Sequence, residues 1–255
     1  MPEQNNKKPT KKIEEDTHQA AQARNAPVPE RHYRAALFQT ALILAAGAFG
    51  VLTFLVKTNP AFAIDLQITR TIQLINLPFF PSLMSAVSWA GFSPQAVIVT
   101  ALIVVLIYAL GLHWEAVVAL LAAVFSAGLN LLIKELVQRP RPTAGLVNVI
   151  EPLKSYSFPS GHVMYYLGFF GLIGFLAFCL LKPSLKRSLL LALIGLPISL
   201  IGVSRIYLGE HWASDVLGSY LLGSLTLAAS LQLYRWGKPR YFVNQPVAAV
   251  ESQPV

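Results

Sequence analysis

Residues 159–181 read PSGHVMYYLGFFGLIGFLAFCLL. From Val163 to Leu181 there is no charged side chain, and the length suits the ~20 apolar residues with which an α-helix crosses a bilayer. The four residues ahead of it, Pro159-Ser160-Gly161-His162, are of another kind: a turn former, a hydroxyl, a residue without a side chain, and an imidazole at the mouth of an apolar helix. Similar charge-free stretches run from Ala35 to Val56, Pro94 to Leu112, Ala116 to Ile133, Ser188 to Ser204 and Val216 to Tyr234. In lipid every backbone polar group must be satisfied within the segment, so these stretches are helices, and their Gly, Ala and Ser residues permit close packing. The sequence therefore predicts an all-α fold, an integral membrane bundle of six transmembrane helices.

Composition agrees. Of 255 residues, 55% are hydrophobic and 13% charged, which excludes an ordinary soluble domain. The stretch from Thr71 to Leu112 carries no Asp, Glu, Lys or Arg and has room for two spans. Charge placement argues against a second one. With six spans, the basic segment before Ala35, the Lys182-to-Arg187 loop and the stretch holding Arg235, Lys238 and Arg240 share one side, as the positive-inside tendency requires. Residues Ala61 to Gly91 then read as an interfacial or partly buried helical segment between the first and second spans, punctuated by Pro78, Pro81 and the Gly91-Phe92-Ser93-Pro94 break.

This gives a disordered cytoplasmic tail over 1–34, a membrane domain over 35–236 and a cytoplasmic C-terminal tail over 237–255, with the first span as an uncleaved anchor. The formal charge of +8 is a positive-inside effect and calls for no nucleic-acid partner. Cys179 is alone, so no intrachain disulfide forms.

On the side opposite the basic segments lie three polar clusters: Lys134-x6-Arg141-Pro142, Pro159-Ser160-Gly161-His162, and Ser204-Arg205-x5-His211-x3-Asp215. Lys134, Arg141 and Arg205 can neutralise phosphate oxygens. Ser160 and Gly161 stand at a helix N-terminus, where a hydroxyl caps and backbone N–H groups bind anions. His211 and Asp215 are four apart and share a face if the last helix begins near Glu210, so that a carboxylate can steer one ring nitrogen.

Each cluster has an ordinary reading of its own. His-x3-Asp can be an interfacial histidine beside an acid, Ser-Gly a capping turn, and Lys or Arg at a span end a snorkelling cation. Arg139 falls to that last reading, and Glu135 and Glu210 read as boundary polar residues. Trp89, Trp114, Trp212 and Trp236 read as an interfacial belt. Together, however, the clusters contain what phosphoryl transfer through a histidine needs: cations, donors, a nucleophile and an acid.

In order and spacing the three clusters resemble the signature of the type 2 phosphatidic acid phosphatase superfamily, over roughly residues 94 to 235. The resemblance implies that His211 is the nucleophile that forms a phosphohistidine, that Asp215 orients it, and that His162 is the general acid. Lys134, Arg141, Ser160, Gly161 and Arg205 bind phosphate. It also implies a reaction without a metal or other cofactor, and the sequence offers no HExxH or cysteine-histidine set. The substrate expected is a membrane lipid phosphate or diphosphate, of the undecaprenyl diphosphate, phosphatidate or phosphatidylglycerol phosphate class, met at the extracytoplasmic face. The competing reading is a non-catalytic lipid-phosphate binder or transporter that keeps the fold; binding needs cations but no oriented nucleophile and acid.

Overall fold

The computed structural model describes residues 28–150 and 152–241. Of the tails expected over 1–34 and 237–255, residues 1–27 and 242–255 lie outside the described residues. The described residues 28–44, the first part of helix α1 (Val28–Thr58), belong to one unit, and a second unit from Ala45 onward holds all the other helices. The described helix begins ahead of Ala35, and the last helix continues past residue 236 to Tyr241.

Helix α2 (Ala63–Gln73) and helix α3 (Phe80–Trp89) occupy the stretch read as interfacial, and both are too short to span a bilayer. The break at Gly91-Phe92 turns the chain by 55° into α4 (Ser93–Ala109). Four long helices come after it: α5 (His113–Val137), α6 (Gly161–Leu180), α7 (Leu185–Tyr207) and α8 (Ala213–Tyr241). Five described helices are long and apolar enough to cross a membrane, and there are six if the bent pair of α3 and α4 is counted as one span. The fold is the all-α membrane bundle expected. One departure is local: α6 contains a π-helical turn over Tyr166–Phe170, which its apolar residues do not announce.

The outer face of the helices is apolar, the interior holds apolar clusters such as Val118, Phe169 and Leu172, and the charged side chains of the site gather at one end. Val97, Leu102, Leu131, Leu132, Leu189 and Leu193 are exposed along α4, α5 and α7, where acyl chains would solvate them. Asn130, Lys134, Arg139, His162, Arg205, Glu210, His211 and Asp215 are buried at one end. Small residues allow this: Gly168 on α6 lies where an added Cβ would stand 3.3 Å from Ser126 Oγ on α5 and 3.4 Å from Thr226 Oγ1 on α8. At the other end, buried Glu115 on α5 accepts from Lys238 on α8 at 2.5 Å and from the Tyr234 hydroxyl at 3.3 Å. The Lys182-to-Arg187 loop between α6 and α7 belongs to that same end.

Candidate active site

The last turn of α7 and the first of α8 are joined by five residues whose geometry is set by two helix ends. Helix α7 closes with the Gly209 N–H on the Ile206 carbonyl at 3.0 Å and the Glu210 N–H on the Arg205 carbonyl at 3.2 Å, the paired bonds of a Schellman end. Gly209 sits at φ +71, and an added Cβ would stand 2.1 Å from the Asn148 carbonyl oxygen, so only glycine fits. Helix α8 opens with a reciprocal cap: the Asp215 N–H donates to the Trp212 carbonyl at 3.0 Å, and the Trp212 N–H donates to Asp215 Oδ2 at 2.8 Å. His211 therefore lies outside the helix, not on a shared helical face as its spacing suggested. The two residues meet because the Asp215 carboxylate reaches back over the helix start, bringing Oδ2 to 3.5 Å from His211 Nδ1.

This arrangement fixes the imidazole. Arg141 Nη1 stands 3.3 Å from His211 Nε2, and a guanidinium has only donors. Nε2 must then present its lone pair, which puts the ring proton on Nδ1, facing Asp215. Burial first, then the charges of Arg141, Lys134 and Arg205, hold the His211 pKa well below the usual histidine range, opposed by a hydrogen bond to the Ser157 backbone. His211 is thus neutral, with its lone pair on the cationic side.

Arg141 follows α5 through an Arg-Pro-Arg-Pro run that cannot continue a helix. Gln138, at φ 56, ends the helix, and its N–H closes on the Lys134 carbonyl at 2.9 Å. The segment Ser155-Tyr156-Ser157 then acts as a strap across the site. Arg141 Nε donates to the Ser155 carbonyl at 2.6 Å and Nη2 to Ser155 Oγ at 2.9 Å, while Lys134 Nζ donates to the Tyr156 carbonyl. A further bond runs from Arg141 Nη1 to the Glu210 carbonyl at 2.5 Å. Burial lowers the Arg141 pKa to about 10, against the pull of Asp215, so the guanidinium stays charged at neutral pH.

Helix α6 begins at the site. Asn130, one turn before Lys134, donates to the Pro159 carbonyl at 3.0 Å, and its Oδ1 would stand 3.1 Å from a Cβ added at Gly161. Ser160 occupies the N-cap position, but its side chain does not cap; its N–H donates to Ser219 Oγ at 2.6 Å and its buried Oγ makes no hydrogen bond. Nε2 of His162 is likewise buried without one. Phe92, in the α3–α4 break, packs edge-on against the His162 ring at 4.8 Å and lies under the Arg205 guanidinium at 5.5 Å.

All eight residues singled out in the sequence come to this end of the bundle: Lys134, Arg141, Ser160, Gly161, His162, Arg205, His211 and Asp215. Three further readings need correction. Arg139 is no snorkelling cation: it is 1% exposed, and its Nη1 donates to Asp215 Oδ1 at 2.5 Å while Nη2 donates to Asp65 Oδ2 at 2.7 Å. Glu210 is no boundary residue, since it is buried and paired with Arg205. Trp212 is buried too, with Nε1 donating to the Pro140 carbonyl at 3.2 Å and its ring 5.9 Å from the Arg139 guanidinium. Ser157, which donates to Asp215 Oδ2, carries no signal in the sequence that would have marked it.

Among the described residues, no group of three or more His, Cys, Asp or Glu side chains could hold a metal ion.

Comparison with known proteins gives one answer throughout. Residues 112–239 match the family model described as the PAP2 superfamily. The chain is 31% identical over 179 residues to phosphatidylglycerophosphatase B of Bacillus subtilis (strain 168), covering 69% of this chain and 86% of that one. Over 90 residues it is 34% identical to an undecaprenyl-diphosphatase of Sulfolobus acidocaldarius, covering 35% of this chain and 39% of the relative. Among solved structures, the transmembrane PAP2-type phosphatidylglycerolphosphate phosphatase of Bacillus subtilis superposes with a TM-score of 0.68 at 25% identity, over 80% of this chain and 98% of that one. Aquifex aeolicus LpxE shares the fold, with a TM-score of 0.53 at 24% identity over 67% of this chain and 96% of its own. With the polar clusters joined in one buried site inside an apolar bundle, and a relative matched over most of its length, the chain belongs to the PAP2 superfamily, among its membrane lipid phosphatases.

Proposed function

We propose that this protein hydrolyses a lipid phosphate or diphosphate through a phosphohistidine on His211, at the extracytoplasmic face and without a metal ion. The observation that carries the reading is the contact between Arg141 Nη1 and His211 Nε2, because it aims a lone pair at the place where cations gather. An arriving phosphate takes over the Arg141 donor. Lys134, Arg141, Arg205 and the backbone N–H groups at the start of α6 neutralise its non-bridging oxygens as charge spreads over them in the transition state.

Nε2 attacks phosphorus, and the bond to the leaving oxygen breaks. His162, protonated on the ring for this step, gives its proton to that oxygen. Water then attacks the phosphohistidine, His162 takes a proton from it, and inorganic phosphate leaves with His211 restored. As positive charge grows on His211, the Nδ1 proton closes onto Asp215 from a resting separation of 3.5 Å, too long for a hydrogen bond, as catalytic contacts often are before substrate arrives.

The relatives suggest phosphatidylglycerophosphate or undecaprenyl diphosphate as candidate substrates, with phosphatidate a third. An apolar cavity of about 510 Å³, lined by Val87, Ala90, Ile107, Tyr166, Phe170 and Ile194, could take a lipid chain beside the site. The test is phosphate release by the purified full-length protein in detergent, with excess chelator, over these three lipids. Release from at least one, with a base-stable, acid-labile phosphoenzyme that is absent in His211→Ala, is the expected result. No release from any of them, or dependence on an added divalent ion, defeats the proposal.

A further inference from the structure

Asp65 lies on α2, outside the residues matched by the family model, and no part of the chemistry above uses it. It is 1% exposed and saturated with donors from the site. Oδ2 accepts from Arg139 Nη2 at 2.7 Å and from Ser214 Oγ at 2.6 Å, and Oδ1 accepts from the Ser214 backbone N–H at 2.8 Å. Ser214 is in the first turn of α8, whose leading N–H groups have no partner within the helix. Asp65 therefore caps α8 from a different helix, one residue before Asp215. Through the other arm of Arg139 it also sets the guanidinium that Asp215 accepts, and Ser214 Oγ closes the ring by accepting from Arg139 Nη1 at 2.7 Å.

Resting on the reading that Asp215 orients His211, we propose that Asp65 is a positioning residue for the attack step, holding Asp215 through Arg139 and the α8 start. Arg139 is planar and places its donors in fixed directions: Nε on the Pro60 carbonyl at 3.0 Å, Nη1 on Asp215 and Ser214, and Nη2 on Asp65, its second carboxylate. With Asp65 neutralised, Nη2 loses its carboxylate partner, and the guanidinium, still held by the Pro60 carbonyl, Ser214 Oγ and Asp215, settles toward Asp215. Asp215, held by the Trp212 N–H and Ser157 Oγ at Oδ2 and by Arg139 at Oδ1, then turns about its Oδ2 contacts, and the acceptor that faces the Nδ1 proton of His211 loses its alignment. A helix cap of purely structural value would act on stability and leave the coupling to Asp215 untouched.

The experiment uses purified full-length enzyme with p-nitrophenyl phosphate, whose leaving group needs little protonation and so reports on attack. Asp65→Asn keeps an acceptor for the Ser214 N–H and removes the charge. It should lower kcat about tenfold or more while KM stays within about twofold. In an Asp215→Asn background the same change should cost less than about twofold, because the carboxylate it acts through is already gone. Wild-type kcat in Asp65→Asn, or an equal loss in both backgrounds, overturns the proposal. Should Asp65→Asn not purify as a monodisperse protein, Ser214→Ala replaces it, with a several-fold loss in kcat that again vanishes beside Asp215→Asn; a Ser214→Ala enzyme of wild-type kcat is then the overturning result. If Asp215→Asn alone retains full activity, the orienting role itself is wrong, a failure distinct from that of Asp65.

Discussion

Replacing Gly91 with alanine should disable the acid and spare the nucleophile. A Cβ at Gly91 would fall 2.3 Å from His162 Cδ2 and 2.8 Å from Cγ. Carbon atoms in contact rest at about 3.5 Å or more, so the ring must retreat by roughly 1.2 Å. Phe92 stands edge-on to the imidazole at 4.8 Å, and the Gly91 N–H is bonded to the Ser88 carbonyl at 2.9 Å, so neither side yields freely. A misplacement of about 1 Å in a reacting group costs on the order of a hundredfold, or about 2.7 kcal/mol of barrier. The assay compares kcat for an alkyl phosphate with kcat for p-nitrophenyl phosphate, under conditions where phosphoenzyme formation limits the rate. A loss of about a hundredfold on the alkyl ester and less than about tenfold on the aryl ester is expected, since an oxygen of low basicity hardly needs the proton. Gly91 does not have a positive φ, so the alanine backbone itself is unstrained and the stability cost is confined to the ring overlap, about 1–3 kcal/mol. An unchanged alkyl rate, or the same factor lost on both esters, refutes the reasoning.

Two more predictions concern pH and topology. Because burial and the charges of Arg141, Lys134 and Arg205 lower the His211 pKa, the imidazole stays neutral below the pH at which a free histidine protonates; once the second ionisation of the substrate near ~6 is divided out, the acid limb of kcat/KM should fall below ~6.5, and a limb at or above that value contradicts the assignment. With Cys179 replaced by alanine, an impermeant thiol reagent on intact cells should label a cysteine placed at Asn148 and not one at Ser184; the opposite pattern would invert the orientation drawn from the basic segments.

The spans were legible because lipid imposes a one-dimensional rule: a run without charge, long enough to cross, has to be a helix. The charged residues of the candidate site were legible for a related reason, since Lys134, Arg205 and His211 stand out where the chain is otherwise apolar. What supports them was not. Arg139 and Arg141 are equivalent by composition and two residues apart, yet the guanidinium of one is buried between two carboxylates and that of the other contacts His211. Only the path of the chain after Gln138 distinguishes them. Asp65 and Ser214 are 149 residues apart, and no local pattern joins an acid in an interfacial helix to the cap of the last span. The corner at Leu208–Trp212 was partly readable. A glycine four residues after Arg205 marks a helix end, and recognising it would have moved the start of α8 past His211.

The separation of Asp65 from its partners also gives the site an order of assembly. Asp65 is synthesised first, Arg139 follows 74 residues later, and Ser214 and Asp215 come at the far end of the chain. At about 5–20 residues per second, Asp65 precedes Ser214 by roughly 7–30 s. Over the last 75 residues of that interval Asp65 and Arg139 have each other but lack the last helix, and the Arg139 arm meant for Asp215 must be solvated by water or headgroups. A chain that failed to insert α8 would be left with that charge exposed to lipid or held at the surface, so the last helix completes the site's charge balance as well as its chemistry.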